Sequence, residues 1–543
     1  MKKIISVFLC LTMVFSMFSL FATNSSAFVP TVECNDGDCE YYPTVIIPGL
    51  GQSNVWLLDD NGDFVVDGEG NKTAVFPGVI DIGSIIKTAL FPLLASVVTQ
   101  SDMGFSDAVA KIIDNIFGVN KCDDKGQAAD NVFVEKYPYS LADCTEEEKA
   151  APYHHVPLNL YESCFPEDHL YYFSYNSFGN HVDIADELYD YIHMVMEQTG
   201  HDKVIVSPIS QGGTIANALF EYHPDIMDSL AKVLYIVPCL DGSTIIGDAF
   251  NDRVRFTKAE VLYDGVLSTF FDIETASMIE VLLRILPDEV VIAGLEKGVE
   301  VLVNDIMTKS TSMWAMCPTR DYLTAAEKYL STPERAAIRE QTDRYYQAQL
   351  NSDANIQKLI DKGVEVLNVA EYEIQMYGIG ESFDIENADG IIQLDSTSMG
   401  AYAANIGETL PEDYVQQNTS ANCSDPTHNH ISPDRIVDAS TAMLPDTTFY
   451  FKGQKHEQTA KNTKILTFAL KVLENEITDV YSDPDYPQFN VCEPYPAQEE
   501  GFFTKLSDRL FDNFGPNGFS EIPSLAVSNV FVYVVSAITG LFS

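Results

Sequence analysis

Short apolar segments rich in β-branched and aromatic residues alternate with amphipathic helical segments along most of this chain, and that alternation is its strongest constraint. Thr44-Val45-Ile46-Ile47, residues 170–175, Val204-Ile205-Val206 and residues 232–237, 364–370 and 447–451 are strand-length and carry little charge. Between them, residues 182–198 repeat Ile184, Leu188, Tyr191, Ile192 and Val195 at helical spacing and stop at Thr199-Gly200. Another helix is expected from about Gly212, and one over about 459–473. Residues 243–360 read as mostly helical, with Pro333 in the first turn of one helix and Gly363 closing the last. Apolar strands joined by helices are covered on both faces, which specifies an α/β fold with a mostly parallel sheet. The sequence shows no internal repeats.

Lys2-Lys3, an uncharged apolar run over 4–22 and Ser25-Ser26-Ala27 form a secretory signal with cleavage expected after Ala27. An uncleaved anchor is the alternative. The formal charge of −48 repels phosphate backbones and argues against nucleic-acid partners. Of ten cysteines, Cys10 leaves with the signal, so at least one thiol stays free or pairs outside the chain. Cys34 with Cys39 and Cys122 with Cys144 are plausible disulfides in an exported protein, with connectivity open.

Residues 55–168 form a long excursion from the alternating pattern. Its turn acids, Asp59, Asp63, Asp67 and Glu69 with Asn61, lack the register of a calcium loop and read as solvated turns. Residues 82–98 and 105–117 read as apolar and amphipathic helices that cover either a substrate cleft or ordinary core. Residues 522–543 carry no charge and divide into apolar and polar faces on a helical wheel. Missing basic anchors favour packing on the body over contact with lipid.

Acyl transfer needs a nucleophile, a base, a group that orients the base and donors for the oxyanion. Val206-Ser207-Pro208-Ile209-Ser210-Gln211-Gly212-Gly213 follows an apolar strand and opens a helix of small residues, the setting of a nucleophile elbow. Ser210 is the candidate nucleophile and the Gln211 N–H an oxyanion donor. Pro208 stands where such elbows usually carry glycine. Upstream, Ile46-Ile47-Pro48-Gly49-Leu50-Gly51 ends a strand in a glycine-lined turn, which makes the Leu50 N–H the second donor.

These two motifs, with Thr199-Gly200-His201-Asp202-Lys203 leading into the elbow, resemble the lipase branch of the α/β hydrolases. Within it they are similar to the lecithin:cholesterol acyltransferase-like and bacterial lipase families. The resemblance covers about half of the mature chain. It implies an α/β-hydrolase fold with large helical cap insertions, and an acid and a histidine after later strands. Asn387-Ala388-Asp389-Gly390-Ile391-Ile392 resembles the acid loop, giving Asp389, with Asp395 and Asp241 as understudies. His456 follows the last strand and a glycine and is the expected base. His428 and His430, at metal-ligand spacing but with no recognised cysteine or carboxylate spacing beside them, read as a loop near the active site.

The expected organisation is a signal over 1–27, then core over 28–242 interrupted by 55–168. A helical cap over 243–360, core over 361–480 and an extension over 481–543 follow. The expected activity is that of a secreted carboxylic ester hydrolase acting through Ser210, His456 and Asp389, without metal or cofactor. Its expected partner is a hydrophobic ester or lipid, held in a cleft shaped by Met313 and Trp314, with contact to a lipid surface through the C-terminal segment left open. An acyltransferase, an amidase and a non-catalytic binding protein on the same scaffold are the alternatives.

Overall fold

In the computed structural model the described residues are 41–492, less 67–69, 77–81, 128–130, most of 257–285, 377–384 and 426, together with 504 and 505. The expected leader, the Cys34–Cys39 pair and the C-terminal helix lie outside them. The strands of the central sheet are β1 (Thr44–Ile47), β2 (Leu170–Tyr172), β3 (Val204–Pro208), β4 (Leu230–Ile236), β5 (Glu365–Tyr372), β6 (Thr448–Lys452) and β7 (Phe489–Val491). All pair in parallel, in the order β7-β6-β5-β4-β3-β1-β2. The protein is therefore an α/β fold on a seven-stranded parallel sheet.

Side chains alternate across this sheet as the period of two requires. Val45 and Ile47, Val204 and Val206, and Val233 and Tyr235 enter one core, while Ile46, Ile205, Leu234 and Ile236 enter the other. The helices include α1 (Ile82–Thr99), α2 (Phe105–Phe117), α3 (His181–Thr199), α4 (Gly212–Tyr222), α5 (Asp288–Val301), α6 (Thr319–Leu330), α7 (Ala336–Leu350), α8 (Ser352–Asp361) and α9 (Thr463–Leu473). The apolar stripes of α3, α4 and α8 fill the first core, and that of α9 fills the second. Asn180 caps α3 by accepting from the Val182 N–H, and Gly200 ends it at a φ of 71°.

Three expectations change. The edge strand β7 lies in the Pro- and Asp-rich stretch read as the start of an extension, where three residues offer too little periodicity to see. The last helix begins at Thr463, because a 3-10 turn over His456–Lys461 precedes it and Asn462 caps it. Cys122 and Cys144 are free, buried thiols, each hydrogen-bonded to a nearby backbone carbonyl (of Asn120 and Ser140).

The expected helices at 82–98 and 105–117 are present as α1 and α2. Helix α2 lies against α5 across Gly294 and Gly298. A Cβ at Gly294 would stand 3.1 Å from Phe105 and 3.2 Å from Val109, so glycine there lets the two helices approach closely. Trp314 does not shape a cleft. It is stacked on Phe250 at 4.0 Å, deep in an aromatic core with Tyr322 and Tyr329.

Candidate active site

Strand β3 runs into α4 with one residue, Ser210, in the left-handed region at a φ of 51°. A serine held there is strained, and the strain lifts its hydroxyl clear of both the strand and the helix. The turn closes only because its neighbours are small. A Cβ on Gly212 would lie 2.3 Å from the Ile47 carbonyl oxygen, and one on Gly213 2.8 Å from Pro238.

Pro208 is accommodated by its neighbour. Ile205 and Ile209 send their N–H groups towards the β1 side, to the Pro43 and Ile47 carbonyls, whereas Ser210 sends its N–H to Ile236 of β4. Position 208 therefore faces β4, where its N–H would meet the Leu234 carbonyl. Proline has no N–H. The Ser207 hydroxyl donates to that carbonyl instead, at 3.1 Å.

Ser210 Oγ lies 2.8 Å from His456 Nε2, and His456 Nδ1 lies 2.7 Å from Asp389 Oδ2. The structure thus brings together three residues that the sequence places after β3, β5 and β6. Asp389 is fully buried, and its Oδ1 accepts the N–H groups of Ile391 and Ile392 at 2.9 and 2.7 Å. Gly390, at a φ of 102°, makes the tight loop that presents those donors. The carboxylate is fixed on one side and reads the imidazole with the other. Burial opposes a charge on His456, but the Asp389 carboxylate beside it and their hydrogen bond outweigh burial and lift the imidazolium to about 9.

The understudies serve elsewhere. Asp241 accepts from the Thr319 N–H, and Asp395 is largely exposed near Arg320. One residue of this centre escaped the sequence reading. Glu371, buried at the end of β5, lies next to Asp389 and His456 and accepts from Thr459 Oγ1 at 2.7 Å. Burial and then the charge of Asp389 hold its carboxyl well above the ordinary range. On an alternating strand only its acidity in a buried register marked it.

The turn after β1 abuts the elbow. A Cβ on Gly49 would stand 3.0 Å from Ser210 Cβ, so the backbone passes directly beside the nucleophile. Tyr175 holds this turn by donating to the Pro48 carbonyl at 2.6 Å, and Ser177 Oγ accepts the Gly51 N–H. The Gln211 side chain is anchored below, donating to the Ser177 carbonyl and Ser312 Oγ. The backbone N–H groups of Leu50 and Gln211 have no partner among the described residues. Phe76 packs on Gly51 and reaches Phe117 of α2 and Phe178, so aromatic side chains flank the turn.

His428 and His430 do not border this centre. Their loop meets Asp446, which precedes β6, whereas His456 follows it. Five residues of strand separate the two ends by about 16 Å. Cys423 and Asp446 accompany the histidines there, partners that local spacing did not reveal.

No family model and no curated protein matches this chain. Among solved structures, one titled "The crystal structure of Tle4-Tli4 complex" overlaps 80% of this chain and 98% of its own, at 12% identity and a TM-score of 0.33. A score that low carries no argument about fold or function.

Proposed function

We propose that this protein is an exported serine hydrolase of the α/β-hydrolase fold that cleaves hydrophobic carboxylic esters. One observation carries the reading. Ser210, strained at the end of a central strand, is hydrogen-bonded through His456 to a buried, doubly anchored Asp389, and the adjacent Leu50 and Gln211 N–H groups are unspent.

In this mechanism His456 Nε2 takes the Ser210 proton as Oγ bonds to the ester carbonyl carbon. The carbonyl electron pair moves onto oxygen, where the N–H groups of Leu50 and Gln211 stabilise it. Asp389 holds the imidazole in the required tautomer and offsets its charge. Collapse breaks the carbon–alkoxy bond, and the leaving alkoxide takes the proton from His456. Water then attacks the acyl-enzyme through the same base, giving the acid and free Ser210.

The preference for hydrophobic esters rests on Phe76, Phe117 and Phe178 beside the turn and on the exposed Phe91 and Val98 of α1. Apolar surface of that kind suits an aggregated or lipid substrate. The expected export leader and the acidic body support an extracellular setting. The test is labelling by a fluorophosphonate. The folded wild type should react in one serine, and Ser210→Ala should lose the label together with hydrolysis of p-nitrophenyl esters, by roughly 10⁴- to 10⁶-fold. An unlabelled, folded wild type overturns the reading.

A further inference from the structure

The second histidine cluster has the geometry of a metal cage. Cys423 Sγ lies 3.3 Å from His430 Nε2, 4.0 Å from His428 Nδ1 and 3.8 Å from Asp446 Oδ1. Asp446 Oδ1 lies 3.1 Å from His428 Nδ1 and 3.4 Å from His430 Nε2. A tetrahedral ion with bonds of about 2.3 Å to sulfur and about 2.0–2.1 Å to nitrogen and oxygen has ligand–ligand edges of roughly 3.3–3.6 Å. The cluster brackets those edges, so small shifts of side chains admit an ion at its centre.

The surroundings orient the ligands. Gln488 Nε2 donates to the Pro445 carbonyl at 2.5 Å, which can only accept, so Gln488 Oε1 must face His430 Nδ1 at 2.9 Å. His430 therefore carries its proton on Nδ1, and the bare Nε2 lone pair points into the cluster. Fixing the outer nitrogen in this way is how proteins set a metal-binding imidazole. Asp446 is held by the Ser424 N–H on Oδ2 at 2.6 Å, while its Oδ1 faces the cluster and accepts from the Tyr481 hydroxyl at 3.3 Å, and the Tyr481 ring packs on that of His428 at 4.5 Å. His430 has no exposed side-chain surface.

We propose that Cys423, His428, His430 and Asp446 bind one structural zinc ion. On binding, the Cys423 thiol releases its proton to solvent as the sulfur–zinc bond forms. Thiolate and carboxylate then balance the two positive charges of the ion, and the imidazoles bind as neutral ligands. Sulfur and imidazole favour zinc over calcium or magnesium, which take oxygen ligands. Four protein ligands close the site, as in structural rather than catalytic zinc centres. The ion would tie a long stretch with little regular structure, between the short pair at Tyr402–Ala403 and β6, to the starts of β6 and β7. Such loops need an added staple when few ladder bonds hold them.

The other grouping of this kind among the described residues, Glu371, Asp389 and His456, is already engaged, because both His456 nitrogens face Ser210 and Asp389. The test is metal analysis of the full-length protein after dialysis against zinc and then buffer. One zinc per chain is expected in the wild type and in His456→Ala, with a fall to background in Cys423→Ser. Gln488→Ala, which keeps every ligand, should weaken zinc roughly 10- to 100-fold. Should Cys423→Ser fail to fold, cobalt added to the metal-stripped wild type gives the decision, through a sulfur-to-cobalt charge-transfer band. A folded wild type that neither retains zinc nor shows that band, or equal zinc in wild type and a folded Cys423→Ser, overturns the proposal. Because His456→Ala lacks the catalytic base, failure here and failure of the hydrolase reading are separate results.

Discussion

The two ends of β6 each gather histidine, a carboxylate and a sulfur or oxygen nucleophile, yet their contacts are arranged differently. At the C-terminal end the contacts form a line. Asp389, His456 and Ser210 touch in sequence, and Ser210 sits in a strained turn beside an open backbone passage. At the N-terminal end the contacts converge, with Cys423, His428, His430 and Asp446 all within reach of one point. The outer partner of His456 is a carboxylate, which stabilises an imidazolium and suits a base. The outer partner of His430 is a neutral amide, which fixes a tautomer. A histidine's task is thus legible from what holds its far nitrogen.

The largest test of this contrast is Asp389→Asn. An amide there keeps the volume but reverses the hydrogen bond and presents the wrong tautomer to Ser210. Ester kcat/KM should fall by about 10⁴-fold with the zinc content unchanged. A loss of less than tenfold would show that the buried carboxylate does not govern His456. Gly49→Ala comes next. A Cβ 3.0 Å from Ser210 Cβ must push the turn away and carry the Leu50 N–H out of reach of the oxyanion, so kcat should fall by roughly 10²-fold. A smaller effect on KM than on kcat separates a displaced donor from a blocked entrance.

The pH profile sharpens the same contrast. As the proposed base His456 must be neutral, and its imidazolium is lifted to about 9. kcat/KM should therefore be low at neutral pH, rise through a midpoint near 9 and level off above it. In Asp389→Asn the residual activity should show a lower midpoint, because the charge that holds the proton is gone. An unchanged midpoint would assign the titration to another group.

What the sequence disclosed followed strand ends. Leu50, Ser210 and His456 each stand just after a short apolar run and Asp389 in the loop that follows another, and a parallel sheet brings such ends to one edge whatever the length between them. Glu371 stayed hidden because it lies within a strand, where alternation alone does not say which acidic residue faces a site. The cluster at Cys423 stayed hidden for a different reason. Asp446 and Gln488 join it only once β6 and β7 are paired, and β7 is too short to be seen in advance. Trp314 misled because a large aromatic in a cap reads equally as cleft or as core, and only its stack on Phe250 decides.

The smallest predicted effect concerns the departure at Pro208. The Ser207 hydroxyl occupies the bond to Leu234 that a backbone N–H at position 208 would make. Ser207→Ala should leave that buried carbonyl short of a donor and cost about 1 kcal/mol in chemical denaturation. Pro208→Ala restores the N–H, so Ser207→Ala made in that background should cost close to nothing. The difference between the two costs is the coupling energy of a double-mutant cycle, expected near the full 1 kcal/mol. Equal costs in the two backgrounds would mean that the hydroxyl stabilises the elbow by some other contact. A coupling of the expected size would show how a central strand tolerates proline just before its most strained residue, through one neighbouring hydroxyl.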